Sequence, residues 1–137
     1  MSNTVRDNTD NVRAVLAHIT AAEYDQRADY VTEDLHFELP YASAPIPNSF
    51  DGRATWDGMQ RATFKMFTSF RNEPTAIYST DDPDLVIAEY QSDAVVAANG
   101  KNYTNKYVGI FRFRDGKICA WREYHNPDAT KVIREPA

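Results

Sequence analysis

A chain of 137 residues with 42% hydrophobic and 26% charged residues has room for one sizeable core and is too balanced in composition to be disordered or fibrous. Its net charge of -5, without a cluster of Lys or Arg, excludes the electrostatic footprint of a nucleic-acid binder. No run approaches the roughly eighteen apolar residues of a membrane-spanning helix, the lone Cys119 leaves no internal disulfide, and the polar stretch from Met1 to Asp10 lacks a secretory core, so a cytoplasmic single domain over residues 1–137 is expected.

Val5, Val12, Val15, Leu16 and Ile19 recur at the spacing of one helical stripe, which predicts an amphipathic helix over residues 5–23. A short helical turn is expected over residues 26–32. Leu35-His36-Phe37-Glu38-Leu39 then alternates as a half-buried strand does, with Phe37 and Leu39 inward and His36 and Glu38 outward. Pro40 ends it. The segment from Pro40 to Ser49 holds Pro40, Pro45 and Pro47, whose fixed φ and missing N–H groups predict a stiff irregular loop.

Beyond Asp51-Gly52, the stripe Trp56, Met59, Thr63, Phe67 and Phe70 predicts a second long helix over residues 54–70. From Glu73 the pattern changes to strands, over residues 73–80, 85–97, 103–113 and 118–126. Asn99-Gly100 and Asp115-Gly116 mark two of the turns, because both residues of each pair tolerate positive φ. Helices first and an antiparallel meander afterwards is an α+β order.

Register decides which side chains share a face, since a slip of one residue exchanges the two faces of a strand. A two-residue Asp115-Gly116 loop pairs Arg114 with Lys117; a three-residue Arg114-Asp115-Gly116 loop pairs Phe113 with Lys117. The second is preferred. It places Asn105, Tyr107, Gly109 and Phe111 on one face with His125, Glu123, Trp121 and Cys119, and sends Lys106, Arg112 and Arg122 to the face that meets water or a partner. A two-residue Asn99-Gly100 turn adds Val86, Ala88, Tyr90, Ser92, Ala94 and Val96 to the inner face. That face is apolar except for one carboxylate and one imidazole, Glu123 and His125, and burial of a carboxylate raises its pKa toward the range useful for proton transfer.

The order of elements, with a strand ending in Pro40 and Asp51-Gly52-Arg53 opening a helix, resembles the superfamily of nuclear transport factor 2 (NTF2), ketosteroid isomerase and the SnoaL-like polyketide cyclases. Tyr103 to Ile118, with its Asp115-Gly116-Lys117-Ile118 turn, is similar to SnoaL-like sequences, and Arg122-Glu123-Tyr124-His125-Asn126-Pro127 is similar to the end of the PhzA/PhzB phenazine-biosynthesis proteins. The resemblance implies a cone-shaped fold, a curved antiparallel sheet wrapped around N-terminal helices and enclosing a hydrophobic pocket. It also implies an acid/base role for Glu123. The steroid-isomerase residues are absent: their slots fall at Leu39, Gly109 and Val15, and the PhzA/PhzB helix histidine falls at Met59.

The expected function is a cofactor-independent isomerase, cyclase or dehydratase acting on a hydrophobic carbonyl compound. Glu123 transfers the proton, His125 and Tyr107 assist, and Tyr41, Trp56, Met59, Tyr90, Asn105, Phe111 and Trp121 contact the substrate. The alternative is a non-catalytic module of the same fold that binds a hydrophobic ligand or only dimerises. His18, His36 and His125 lie on separate elements and no paired-cysteine or Gly-rich phosphate motif occurs, so neither a metal nor another cofactor is expected. A homodimer through Lys106, Arg112, Arg122 and Tyr124 is expected under both readings.

Overall fold

Asp7 starts the first helix: its carboxylate accepts from the backbone N–H of Asp10 at 3.0 Å and from the Thr9 hydroxyl at 2.6 Å, satisfying donors that have no partner inside the helix. In the computed structural model, which describes residues 7–20 and 22–137, α1 therefore spans Asn8–Thr20. It is shorter than the predicted helix at both ends, and Val5 lies outside the described residues. Ala22, at a φ of 57°, turns the chain out of the helix, and the Glu23 N–H closes on the His18 carbonyl at 2.9 Å. α2 follows over Tyr24–Ala28 and β1 over Val31–Glu38, so the strand begins four residues before Leu35 and takes Val31 into the core.

The proline-rich loop ends in a short strand that its composition concealed, β2, Ser49–Asp51. α3, Arg53–Phe64, stops well before residue 70. Phe67 and Phe70 keep helical spacing in sequence but belong to β3, Phe67–Ser79, where they pair with Val96 and Ala94 of β4, Leu85–Val96. Tertiary pairing along the whole of β3 overrides the local helical period here. β5, Asn102–Arg114, and β6, Lys117–His125, complete the sheet. A 3-10 helix over Pro127–Arg134 follows, opened by Asn126, which accepts from the Asp128 N–H at 3.0 Å.

The strands form one curved six-stranded sheet in the order β2-β1-β6-β5-β4-β3. It is antiparallel except where β1 runs parallel to β6. Val12, Val15, Leu16 and Ile19 of α1 and Trp56 of α3 pack on the concave face against Leu35, Phe37, Val86, Phe111, Ile118 and Trp121. The expected α+β architecture, helices held within a curved sheet, is the one found.

The β5–β6 hairpin corrects the preferred register. Asp115 and Gly116 have φ of 53° and 81°, the positive pair of a two-residue type I′ turn, and Arg114 pairs with Lys117. Taken alone, that turn would expose Trp121 and Glu123. A bulge after the turn restores the facing: Phe113 pairs with Ile118 and Arg112 with Ala120, leaving Cys119 as the extra residue. Beyond it Phe111 pairs with Trp121, Gly109 with Glu123 and Tyr107 with His125. The β4–β5 connection is also longer than expected. Val96 binds the Lys101 carbonyl across residues 97–100, a change of two residues that leaves Tyr90 facing Tyr107.

Candidate active site

Glu123 sits opposite Gly109, and Gly109 sits opposite Ala88, so on β5 and β4 the row that carries the carboxylate has the smallest side chains. The adjacent row carries Tyr90, Tyr107 and His125. Gly109 is needed there for a close approach: a Cβ at that position would lie 2.7 Å and 2.8 Å from the Phe111 ring and 2.9 Å from Tyr90 Cε1. With that space open, the Tyr90 hydroxyl reaches diagonally to Glu123 and donates a short hydrogen bond to Oε1. Trp121 Nε1 donates to the Tyr90 oxygen at 3.3 Å. A second hydroxyl chain lies alongside, in which Asn105 donates to Tyr103 at 2.8 Å, the Tyr103 and Tyr107 oxygens are 3.1 Å apart, and Tyr107 meets Ser92 at 2.7 Å. The Tyr90 and Tyr107 rings stack with centroids 5.1 Å apart.

These groups border a cavity of about 670 Å³ between the concave sheet face, α3, the proline-rich loop and the C-terminal 3-10 helix. Its walls are mainly apolar: Phe37, Leu39, Met59, Phe64, Phe70 and Trp121 contribute, and the half-exposed Ile46 and Met66 stand among the lining residues. Glu123, His125, Tyr90, Tyr107, Gln60 and Asn72 are among the polar side chains on its surface. A volume of this size suits a small organic molecule.

Burial shifts the acid–base groups. Loss of hydration raises the Glu123 carboxyl from its ordinary 4.5 to about 7, against the opposing pull of the Tyr90 hydrogen bond and the positive charge of Arg27. Glu123 retains some accessible surface, and that surface borders the cavity. Burial and the charge of Glu123 push the Tyr90 phenol well above its usual range, and burial does the same to Tyr107, so both are hydrogen-bond donors at any physiological pH. Burial lowers His125, which keeps its imidazole neutral near pH 7, and its Nδ1 is buried without a partner among the described residues.

Arg27 is a residue that sequence reasoning missed. It lies in the polar segment Tyr24-Asp25-Gln26-Arg27-Ala28-Asp29, where nothing local distinguishes it from a solvated cation. Only 1% of it is exposed, and its guanidinium lies 4.9 Å over the Trp56 ring. Nε donates to the Val15 carbonyl at 3.3 Å and Nη1 to Gln60 Oε1 at 3.0 Å. Among the described residues it has no carboxylate within ion-pair distance. Burial lowers its pKa to about 10, leaving it charged at neutral pH.

The predicted site residues divide. Glu123, His125, Tyr107, Tyr90, Met59 and Trp121 meet at the cavity. Phe111 lies one layer beneath it, 4.7 Å from the Trp121 ring, and Trp56 is buried core between Arg27 and Trp121. Asn105 is buried behind the wall, where it donates to the Asn126 carbonyl at 3.0 Å. Tyr41 is 57% exposed and packs edge-on against Tyr124 outside the cavity, while its neighbours Ala42, Ser43 and Pro45 contribute to the lining. Two nearby cations are engaged away from Glu123: Arg122 lies 3.9 Å from Glu38, and Arg53 donates to the Val31 carbonyl. Lys106 is exposed on the opposite face of β5.

Comparison with known proteins agrees with this fold. An uncharacterised PhzA/B-like protein of Pseudomonas aeruginosa is 35% identical over 91 residues, 66% of this chain and 63% of that protein. A crystal structure of a Bacillus subtilis protein provisionally named an isomerase superposes with a TM-score of 0.80 at 29% identity, covering 90% of this chain and 89% of the other. An NTF2-like protein of unknown function from Burkholderia pseudomallei superposes with a TM-score of 0.83 at 14% identity, covering 96% of this chain and 100% of the other. The SnoaL-like domain profile matches residues 12–121, and the chain belongs to the SnoaL-like family, with the NTF2-like fold.

Proposed function

We propose that this protein is a cofactor-independent acid–base enzyme for a small hydrophobic carbonyl compound, in which Glu123 removes a proton α to the carbonyl and returns it to the product. The observation that carries this reading is a carboxylate on the wall of a mainly apolar cavity, half-ionised near pH 7 and held by one phenol. A general acid or base works best when its pKa lies near the operating pH. Tyr90 orients the carboxylate and stabilises its charged form. His125 and Tyr107, neutral and adjacent across β5 and β6, are assigned the hydrogen bonds to an oxygen whose charge grows as the enolate forms. The name of the Bacillus subtilis relative is in keeping with proton transfer of this kind. Isomerisation, dehydration and aldol-type cyclisation all begin with the same step.

The test is exchange of α-protons for deuterium in D₂O, followed by NMR over a panel of small hydrophobic ketones. The protein is expected to accelerate exchange of at least one, and Glu123→Gln, which keeps the shape and removes the base, to lose about 10²- to 10⁴-fold of that rate. Exchange surviving in the variant would sink the proposal. Ketone binding without exchange in the wild type would make the cavity a ligand-binding site only.

A further inference from the structure

Gln60 lies on the inward side of α3 and borders the cavity with Met59, Thr63 and Phe64. Its amide can be oriented without ambiguity. Arg27 has only donors to offer, so the 3.0 Å contact from Nη1 requires the Gln60 oxygen to face Arg27 and leaves the NH₂ group on the opposite edge of the amide. That nitrogen has no protein partner among the described residues, and it is absent from the buried side-chain atoms lacking one, so it keeps accessible surface. Arg27 is itself immobilised, with Nε on the Val15 carbonyl and the guanidinium over Trp56, and its positive charge polarises the amide toward donation.

We infer that Gln60 is a substrate-binding residue whose Nε2 donates a hydrogen bond to the carbonyl oxygen of the bound compound, and that Arg27 is a positioning residue that fixes which edge of the amide faces the cavity. The inference rests on the carbonyl substrate class proposed above. It adds a donor from α3 to the His125 and Tyr107 donors proposed above, on a different element from the proton carrier on β6. A ligand with a hydrogen-bond acceptor is favoured over an apolar isostere, because an amide donor facing an apolar ligand loses its bond to water.

The probe is acetophenone labelled with ¹³C at the carbonyl, titrated into the full chain and followed by NMR. The wild type is expected to shift the bound carbonyl carbon downfield, as hydrogen bonding does. Gln60→Glu keeps an acceptor for Arg27 but has no donor. It is expected to reduce the shift and weaken binding about 3- to 10-fold. Gln60→Leu is expected to do the same, and it carries the test should the charged variant fail to fold. Arg27→Met, or Arg27→Lys should the first not fold, is expected to reduce the shift in a protein whose circular dichroism is unchanged. An undiminished shift in both Gln60 variants, or no binding by the wild type at millimolar probe, overturns the inference. An undiminished shift in a folded Arg27 variant removes the positioning role. A Gln60-dependent shift without Glu123-dependent exchange of any ketone in the panel leaves this inference standing and defeats the acid–base reading.

Discussion

The hydroxyl of Tyr90 and the carboxylate of Glu123 are hydrogen-bonded across Gly109, and the bond exists because Gly109 has no side chain to hold the Tyr90 ring away. Burial pushes Glu123 toward protonation, and Tyr90 and Arg27 pull it back. The carboxyl is left at about 7, between a strong and a useless base.

Tyr90→Phe removes the hydrogen bond that favours the charged carboxylate. The Glu123 pKa is expected to rise above its wild-type value, and the ascending limb of kcat/KM against pH to move up with it. A ¹³C titration of the Glu123 carboxyl measures the shift without a substrate. An unchanged or lower value contradicts the role assigned to Tyr90.

Gly109→Ala places a Cβ within 3 Å of both the Phe111 and Tyr90 rings. One of the two must move, and the overpacking is expected to cost about 1–3 kcal/mol by chemical denaturation. Displacement of Tyr90 takes its hydroxyl from Glu123 and raises the carboxyl pKa, whereas displacement of Phe111 leaves it in place. A variant as stable as the wild type would show that the close packing around Gly109 is not needed.

Glu123→Gln tests burial of the carboxylate through stability. In the unfolded chain the carboxyl ionises near 4.5 and in the folded protein near 7, so the native state holds its proton more tightly. Stability from this group is present in full below pH 4.5 and is lost as pH rises through 7, by up to about 3 kcal/mol. The variant lacks the loss. Its stability relative to wild type is therefore expected to grow between pH 4.5 and pH 8 and then level off; a difference constant with pH counts against a buried, titrating Glu123.

The outer face of β5 carries the half-buried Val108 and Ile110 between Lys106 and Arg112, and we propose it as a dimer surface. Light scattering at micromolar concentration is expected to give twice the mass of the chain. Ile110→Asp, which sets a charge at the centre of that face, is expected to give the monomer. A monomeric wild type rules the surface out.

Sequence alone determined the order of the helices and of every strand but β2, the apolar stripe of α1, the outward His36 and Glu38, and the two Gly-containing turns, because periodicity and turn chemistry are local properties. It also determined that Glu123 and His125 share a face, since they stand two apart on one strand. Which face that is, the tertiary structure decided. Asp115 and Gly116 make a two-residue turn, and only the bulge at Cys119, set by pairing with β5, returns Trp121 and Glu123 to the concave side. The boundary between α3 and β3 was decided in the same way, by pairing of Phe67 and Phe70 with β4 against their helical spacing. Arg27 is the extreme case. Its burial depends on Val15, Trp56 and Gln60, residues from two other helices that meet it only when the chain is folded, and no pattern around position 27 records their approach.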